Sequence, residues 1–152
     1  MGRPSFTRWA EFDLTKAIWT IPVERMKGGV AHVVPLTVEM LAIINELPRI
    51  DGNECLFTSG LVGDQPVSGF TEMKEKLDRT MGTATDWTIH DIRRSVRTHL
   101  SSLPVPEGDL VRELMMAHAR PALHRIYDLH AYLEERRRGY ELWAERLMEI
   151  VS

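Results

Sequence analysis

The stretch Thr88-Ile89-His90-Asp91-Ile92-Arg93-Arg94-Ser95-Val96-Arg97-Thr98-His99-Leu100 decides how this chain is read. Its apolar residues Ile92, Val96 and Leu100 recur every four positions, the spacing that lines one face of an α-helix. His90, Arg93 and Arg97 fall at i, i+3 and i+7, on a different face. Thr88 precedes the run, and Pro104 and Pro106 break the chain after it. A helix from Ile89 to about Leu103 is therefore predicted, apolar on one side and cationic on another.

Working outward from it, residues 107–118 restart a helix with Leu110, Val111, Leu114 and Met115 inward. Tyr127 lies in a short segment after Pro121. A last helix, near Leu133 to Val151, is expected to pack through Leu133, Tyr140, Trp143, Leu147 and Ile150. Upstream, a helix follows Ser68 and places Phe70, Met73 and Leu77 on one stripe. Another, from Val38 to Leu47, is capped by Thr37 and ended by Pro48, with Val38, Leu41, Ala42 and Ile44 on one side. Residues 50–66 read as loop around a short extended Leu56-Phe57. From Ala17 to Leu36 the chain reads as a hairpin: Ile18-Trp19-Thr20-Ile21 and Val30 to Val34 are rich in β-formers. Lys27-Gly28-Gly29 between them supplies the glycines of a tight turn. Glu11 to Leu14 holds the end of an earlier strand. The expected class is α+β, mainly α-helical: a small N-terminal antiparallel hairpin or sheet, then a bundle within five or six helices.

Composition sets bounds. The 152 residues suit one domain with a real core, and 43% hydrophobic with 27% charged content is ordinary for a soluble protein. No apolar run approaches the roughly 20 residues of a membrane span, and Met1 to Phe6 lacks the apolar core of a signal peptide. The single cysteine, Cys55, excludes an internal disulfide framework, suits a reducing cytoplasm and reads as a small core residue. The net charge of −3 argues weakly against nucleic-acid binding, whose usual footprint is a basic excess. Any basic surface must be local.

The second half nevertheless holds a set of residues suited to phosphoryl transfer without a metal. Arg93 offers a planar, permanently charged fork that holds phosphate by two hydrogen bonds. His90 and His118 can donate to phosphate oxygens or exchange protons near neutral pH. Tyr127 can attack phosphorus if its proton is removed and the developing charge is held. Each also has a plain structural role available: a solvated polar face for His90 and Arg93, a helix-dipole contact for His118, half-buried packing for Tyr127. His118, His124 and His130 recur every six residues, a poor spacing for a metal site. His99 reads as a packing residue.

Order and wording decide between these. Thr88 to Leu100 resembles the His-Asp-Leu-Arg-Arg-Thr box of the tyrosine recombinases, the phage-integrase kind. Leu114-Met115-Met116-Ala117-His118 resembles the family's Leu-Gly-His or Leu-Asn-His segment. Ile126-Tyr127-Asp128-Leu129-His130-Ala131-Tyr132-Leu133 resembles the nucleophile segment of prophage integrases, and Trp19 to Leu36 their β-hairpin. The resemblance runs from about Trp9 to Leu147. It implies the catalytic-domain fold of that family, with double-stranded DNA as partner, oligomers formed on DNA through the C-terminal helix, and no cofactor or metal. A type IB topoisomerase shares the chemistry, but the hairpin and tail wording favour a recombinase.

The resemblance also implies roles. Tyr127 would attack the scissile phosphate, giving a 3′-phosphotyrosyl link and a free 5′-hydroxyl. Arg93 would bind the non-bridging oxygens, His118 would add a hydrogen bond to them, and His90 would assist proton transfer. Lys27, in the hairpin turn, would protonate the departing 5′-oxygen. Tyr132, five positions after Tyr127, competes as nucleophile, but Tyr127 matches the family's distance from the preceding histidine. One part is missing from the wording. The family carries another arginine, shortly followed by glutamate, just before the segment matching Trp9. Arg8 matches an Arg-Trp dipeptide instead, and Pro4 follows Arg3. The expectation is a partial catalytic domain over residues 1–152, without its first helices or the N-terminal core-binding domain, and with impaired activity. A non-catalytic remnant that binds DNA or intact recombinase protomers is the alternative.

Overall fold

β-branched and aromatic residues in Ile18–Ile21 form the central strand of a small sheet. The computed structural model describes residues 6–26, 28–58, 66–82, 86–118 and 132–152. Lys27 and Tyr127 lie outside them. Strands β1 (Phe12–Asp13), β2 (Ile18–Ile21) and β3 (His32–Pro35) pair antiparallel in that order. Trp19 faces Phe12 on one side and Val34 on the other. The Phe12 and Trp19 rings stack at 5.5 Å, the aromatic cross-strand pairing that fixes register. β3 starts later than the pattern of β-formers suggested. Gly29 takes φ +67°, and Val30 sits 63% exposed in the turn that it opens.

Helix α1 (Val38–Glu46) follows β3, and the Thr37 hydroxyl accepts from the Met40 N–H at 3.4 Å. Its packed side matches the expected one at Leu41 and Ile44 but not at Val38 and Ala42. Ile44 is buried, and Met40, Leu41 and Leu47 pack against Leu36 and Leu56. Val38, 78% exposed, and exposed Ala42 lie across the helix, because two or six residues correspond to roughly half a turn of remainder. Cys55 is buried, and its backbone forms an antiparallel bridge with Arg8.

Helix α2 (Phe70–Met81) runs between Gly69 and Gly82, both left-handed. Phe70, Met73 and Leu77 share a stripe as expected, and Met81 continues it. Among the described residues that stripe faces solvent, with each side chain about half exposed. What ties α2 to the next helix is polar: Trp87 Nε1 donates to Asp78 at 2.8 Å, and Lys74 both pairs with Asp78 and covers the Trp87 ring.

The second core joins α3 (Ile89–Ser102), α4 (Asp109–Met115) and α5 (Leu133–Val151). Leu100 and Val111 are fully enclosed there, with Val105, Met115, Met116 and Leu142 around them. Ile92, expected beside Leu100, is instead 53% exposed. A four-residue step overshoots one turn by about 40°, so Ile92 stands about 80° round from Leu100. Arg93, seven residues before Leu100, lies within about 20° of it and takes the inward place. In α5, Gly139 and Leu142 are buried while Leu147 and Ile150 are not, which corrects the expected packing of the last two turns. A Cβ on Gly139 would stand 2.5 Å from Met115 Sδ and 3.3 Å from Val105 Cγ1. The missing side chain is what lets α4 approach α5. α5 also packs on β3, so one helix touches both cores. No helix among the described residues is long and apolar enough to cross a membrane.

Candidate active site

Helix α4 is short because its end is specified. Ala117 adopts φ +55°, its N–H donates to the Leu114 carbonyl at 3.0 Å, and the His118 N–H donates to that of Glu113 at 3.0 Å. This pair of bonds around a left-handed residue is the Schellman ending, and it sets His118 back over the last turn of the helix. The position before the histidine therefore calls for glycine or asparagine, the residues that enter this conformation most easily. Alanine there costs about 1 kcal/mol. Ala117→Gly is accordingly expected to raise the unfolding free energy by about 1 kcal/mol, read from urea denaturation midpoints.

Two neighbouring helices take the carbonyls that α4 leaves open. The Tyr140 hydroxyl of α5 donates to Met115 O at 2.8 Å, and burial pushes that phenol up to about 12. The Arg93 guanidinium of α3 donates through Nη2 to Met116 O. Arg93 thus reaches the backbone two residues before His118, which brings two of the sequence-predicted residues onto adjoining segments. His90 is exposed one turn before Arg93 on the same helix. Lys27 and Tyr127 fall outside the described residues, as does the segment between His118 and Tyr132. Tyr132 itself packs against the helical core.

The charges around Arg93 are arranged unequally. Of the three arginines on α3, Arg94 pairs with Asp91 at 3.0 Å, and Arg97 pairs with Glu113 at 2.8 Å and Asp109 at 3.1 Å. Arg93 has no carboxylate partner among the described residues. The start of α3 is also fixed. The Asp91 carboxylate accepts from the Thr88 N–H at 2.9 Å and hydroxyl at 2.7 Å, bonds that hold it below the usual carboxylate range.

The hairpin is braced at its foot. Glu11 accepts from Trp19 Nε1 at 2.9 Å and from Arg25 Nη1 at 2.5 Å, and Arg25 Nη2 reaches Thr7 Oγ1 at 3.1 Å. The Glu11–Arg25 pair is largely shielded from water and ties the turn at Val23–Arg25, just before Lys27 in sequence, to the sheet. At the other side of that turn, His32 is held down to about 4 by burial and then by the Arg136 charge, so it is neutral at pH 7. His99 sits 6.0 Å from the Trp143 ring, a packing contact. Sequence spacing did not single out Glu113, which bonds the His118 ring, because residues five apart do not face each other within a helix.

The model of the phage integrase family matches residues 7–134. Prophage integrase IntA of Escherichia coli K12 is 33% identical over 140 residues, covering 91% of this chain and 33% of that protein. The integrase of Enterobacteria phage P4 is 29% identical over 158 residues, covering 93% and 36%. Prophage integrase IntZ of E. coli K12 is 28% identical over 145 residues, covering 95% and 35%. The chain thus spans about a third of the length of the curated relatives that it matches. No solved structure matches it. With the family model covering most of its length, the chain belongs to the phage integrase family of tyrosine recombinases.

Proposed function

We propose that this chain is the C-terminal part of a recombinase catalytic domain, cutting and rejoining double-stranded DNA through a 3′-phosphotyrosyl link on Tyr127. Arg93 holds the non-bridging oxygens, His118 adds a donor to them, His90 assists proton transfer, and Lys27 protonates the leaving 5′-oxygen. The link conserves the energy of the phosphodiester, so rejoining needs neither ATP nor metal. The observation that carries the reading is Arg93: an inward-leaning cation without a carboxylate partner among the described residues, beside the His118 turn, while Arg94 and Arg97 are neutralised. A phosphate supplies the charge that Arg93 lacks. Packing of Tyr132 in the helical core supports Tyr127 as the nucleophile. The exposed Leu147, Ile150 and Val151 at the end of α5 support docking on a neighbouring protomer when the protein assembles on DNA.

The family's first phosphate-binding arginine has no counterpart in the wording around Trp9, so we infer that residues 1–152 taken alone would form a cradle short of one cation. Duplexes of randomised sequence with 5′-bridging phosphorothiolates trap a tyrosine adduct irreversibly. A polypeptide of these residues alone is expected to give at most a trace of it. Joined to the part of prophage integrase IntA that it does not cover, the chain should form the adduct on the Tyr127 peptide, identified by mass spectrometry. A robust adduct from the 152 residues alone overturns the incomplete cradle. An adduct on another residue, or none in the chimera, overturns the catalytic reading in favour of a non-catalytic DNA- or protomer-binding piece.

A further inference from the structure

A Schellman ending is usually accompanied by an apolar contact between the residue two past the cap and the one three before it. In α4 those positions are His118 and Glu113. The chain places an imidazole and a carboxylate where two apolar side chains would stabilise the turn. Glu113 Oε2 bonds His118 Nδ1, while Glu113 Oε1 accepts from Arg97 Nε at 2.8 Å. Arg97 is itself held by Asp109 at 3.1 Å and by Ser101 Oγ at 2.6 Å. His118, and then Arg97, keep the Glu113 carboxyl below its ordinary value. The Glu113 and His118 side chains are 41% and 48% exposed, and such pairs add at most about 1 kcal/mol to stability. Folding alone gives little reason for a relay of three polar residues at this corner.

We infer that Glu113, clamped by Arg97, is a positioning residue for His118: it accepts the Nδ1–H hydrogen bond and so presents Nε2 to the phosphate. The two ring nitrogens lie on opposite edges of the imidazole, and the bond made by one fixes the orientation and protonation of the other. With Nδ1–H committed to a carboxylate, protonated His118 donates from Nε2 along a fixed direction. Because Glu113 also receives the His118 backbone N–H, main chain and ring are held by the same residue. Arg97 then has a purpose distinct from that of Arg93 one turn earlier: it binds the carboxylate that aims the histidine, leaving phosphate to its neighbour. The inference rests on the recombinase reading above.

Long-range 1H–15N spectra of the ¹⁵N-labelled chain test it. Above its titration range an isolated histidine favours the Nε2–H tautomer. His118 is expected to be Nδ1–H in the wild type and in Glu113→Gln, whose amide oxygen still accepts. It should revert to Nε2–H in Glu113→Ala, with the circular dichroism unchanged. Arg97→Ala should give a mixture. An Nε2–H wild type, or a tautomer indifferent to Glu113→Ala, overturns the inference whatever the family does. A titration with inorganic phosphate supplies the second arm. The His118 Nε2 resonance should move in the wild type and respond at least severalfold more weakly in Glu113→Ala. If the tautomer depends on Glu113 but Nε2 ignores phosphate in the wild type, the phosphate role of His118 falls, and the inference with it.

Discussion

Tyr127→Phe is expected to abolish the covalent DNA adduct of the chimera completely, and Arg93→Ala to slow its formation by about 10²–10³-fold. The first follows from chemistry: phenylalanine has no oxygen to attack phosphorus. The second follows from where Arg93 stands. It leans inward beside the His118 turn without a carboxylate partner among the described residues, so on the proposed reading it is the fixed cation that meets the charge developing on phosphate. Arg93→Lys should recover only part of the rate, since an ammonium cannot keep one hydrogen bond on Met116 O and offer a planar fork to phosphate as well. Single-turnover cleavage separates the cases. If Arg93→Ala cleaves at the wild-type rate, Arg93 is a structural residue of the α4 corner and nothing more. An unchanged adduct in Tyr127→Phe passes the nucleophile to another side chain.

Leu100→Ala is expected to cost about 2–5 kcal/mol, lowering the Tm by roughly 5–20 °C for a chain of this size. Leu100 is fully enclosed among Val105, Val111, Met115 and Leu142, so truncation leaves a cavity that α4 and α5 close only in part. Ile92→Ala, two steps back along the same four-residue pattern, should stay within about 0.5 kcal/mol, because Ile92 is 53% exposed. Thermal unfolding of the two variants reads the difference directly. Equal losses would mean that Ile92 is covered, contrary to the structure described.

That contrast shows where the sequence was legible and where it was not. Features set by neighbours along the chain were readable: β2 at Ile18–Ile21, the Thr37 cap, and α3 and α5 to within a residue or so. Faces were less so. A spacing of four drifts round the helix, and nothing in Ile92 tells how far the core extends along α3. Met40, Ile44 and Leu47 are packed on α1, and Val38 is not, because the sheet and Leu56 lie on that side. The stripe on α2 was legible as a stripe but not as a surface. At the site, wording brought out His90, Arg93 and His118. Glu113 stayed hidden, because its contact with His118 exists only once Ala117 turns left-handed. The boundary of α4 at Met115 has the same cause. The roles given to Tyr127 and Lys27 rest on the order of motifs.

The two cores meet through α5, whose contact with the sheet side includes two arginines. Arg136 is buried near His32, Arg137 reaches the Leu36 carbonyl at 3.4 Å, and a hollow of about 330 Å³ lies between Leu36, Thr37, Arg137 and Glu141. In the proposed reaction, Lys27 belongs by sequence to the sheet's hairpin, while Arg93 and His118 belong to the helical core. The alignment of acid with arginine is then referenced through this joint, as two jaws are referenced through a hinge pin. The Arg137 bond to Leu36 O, long and made by a partly exposed guanidinium, gives way at little cost, whereas the buried Arg136 does not. On the proposed reading, Arg137→Ala is expected to shift the jaws' common zero, and so the rate of cleavage, while each core stays folded.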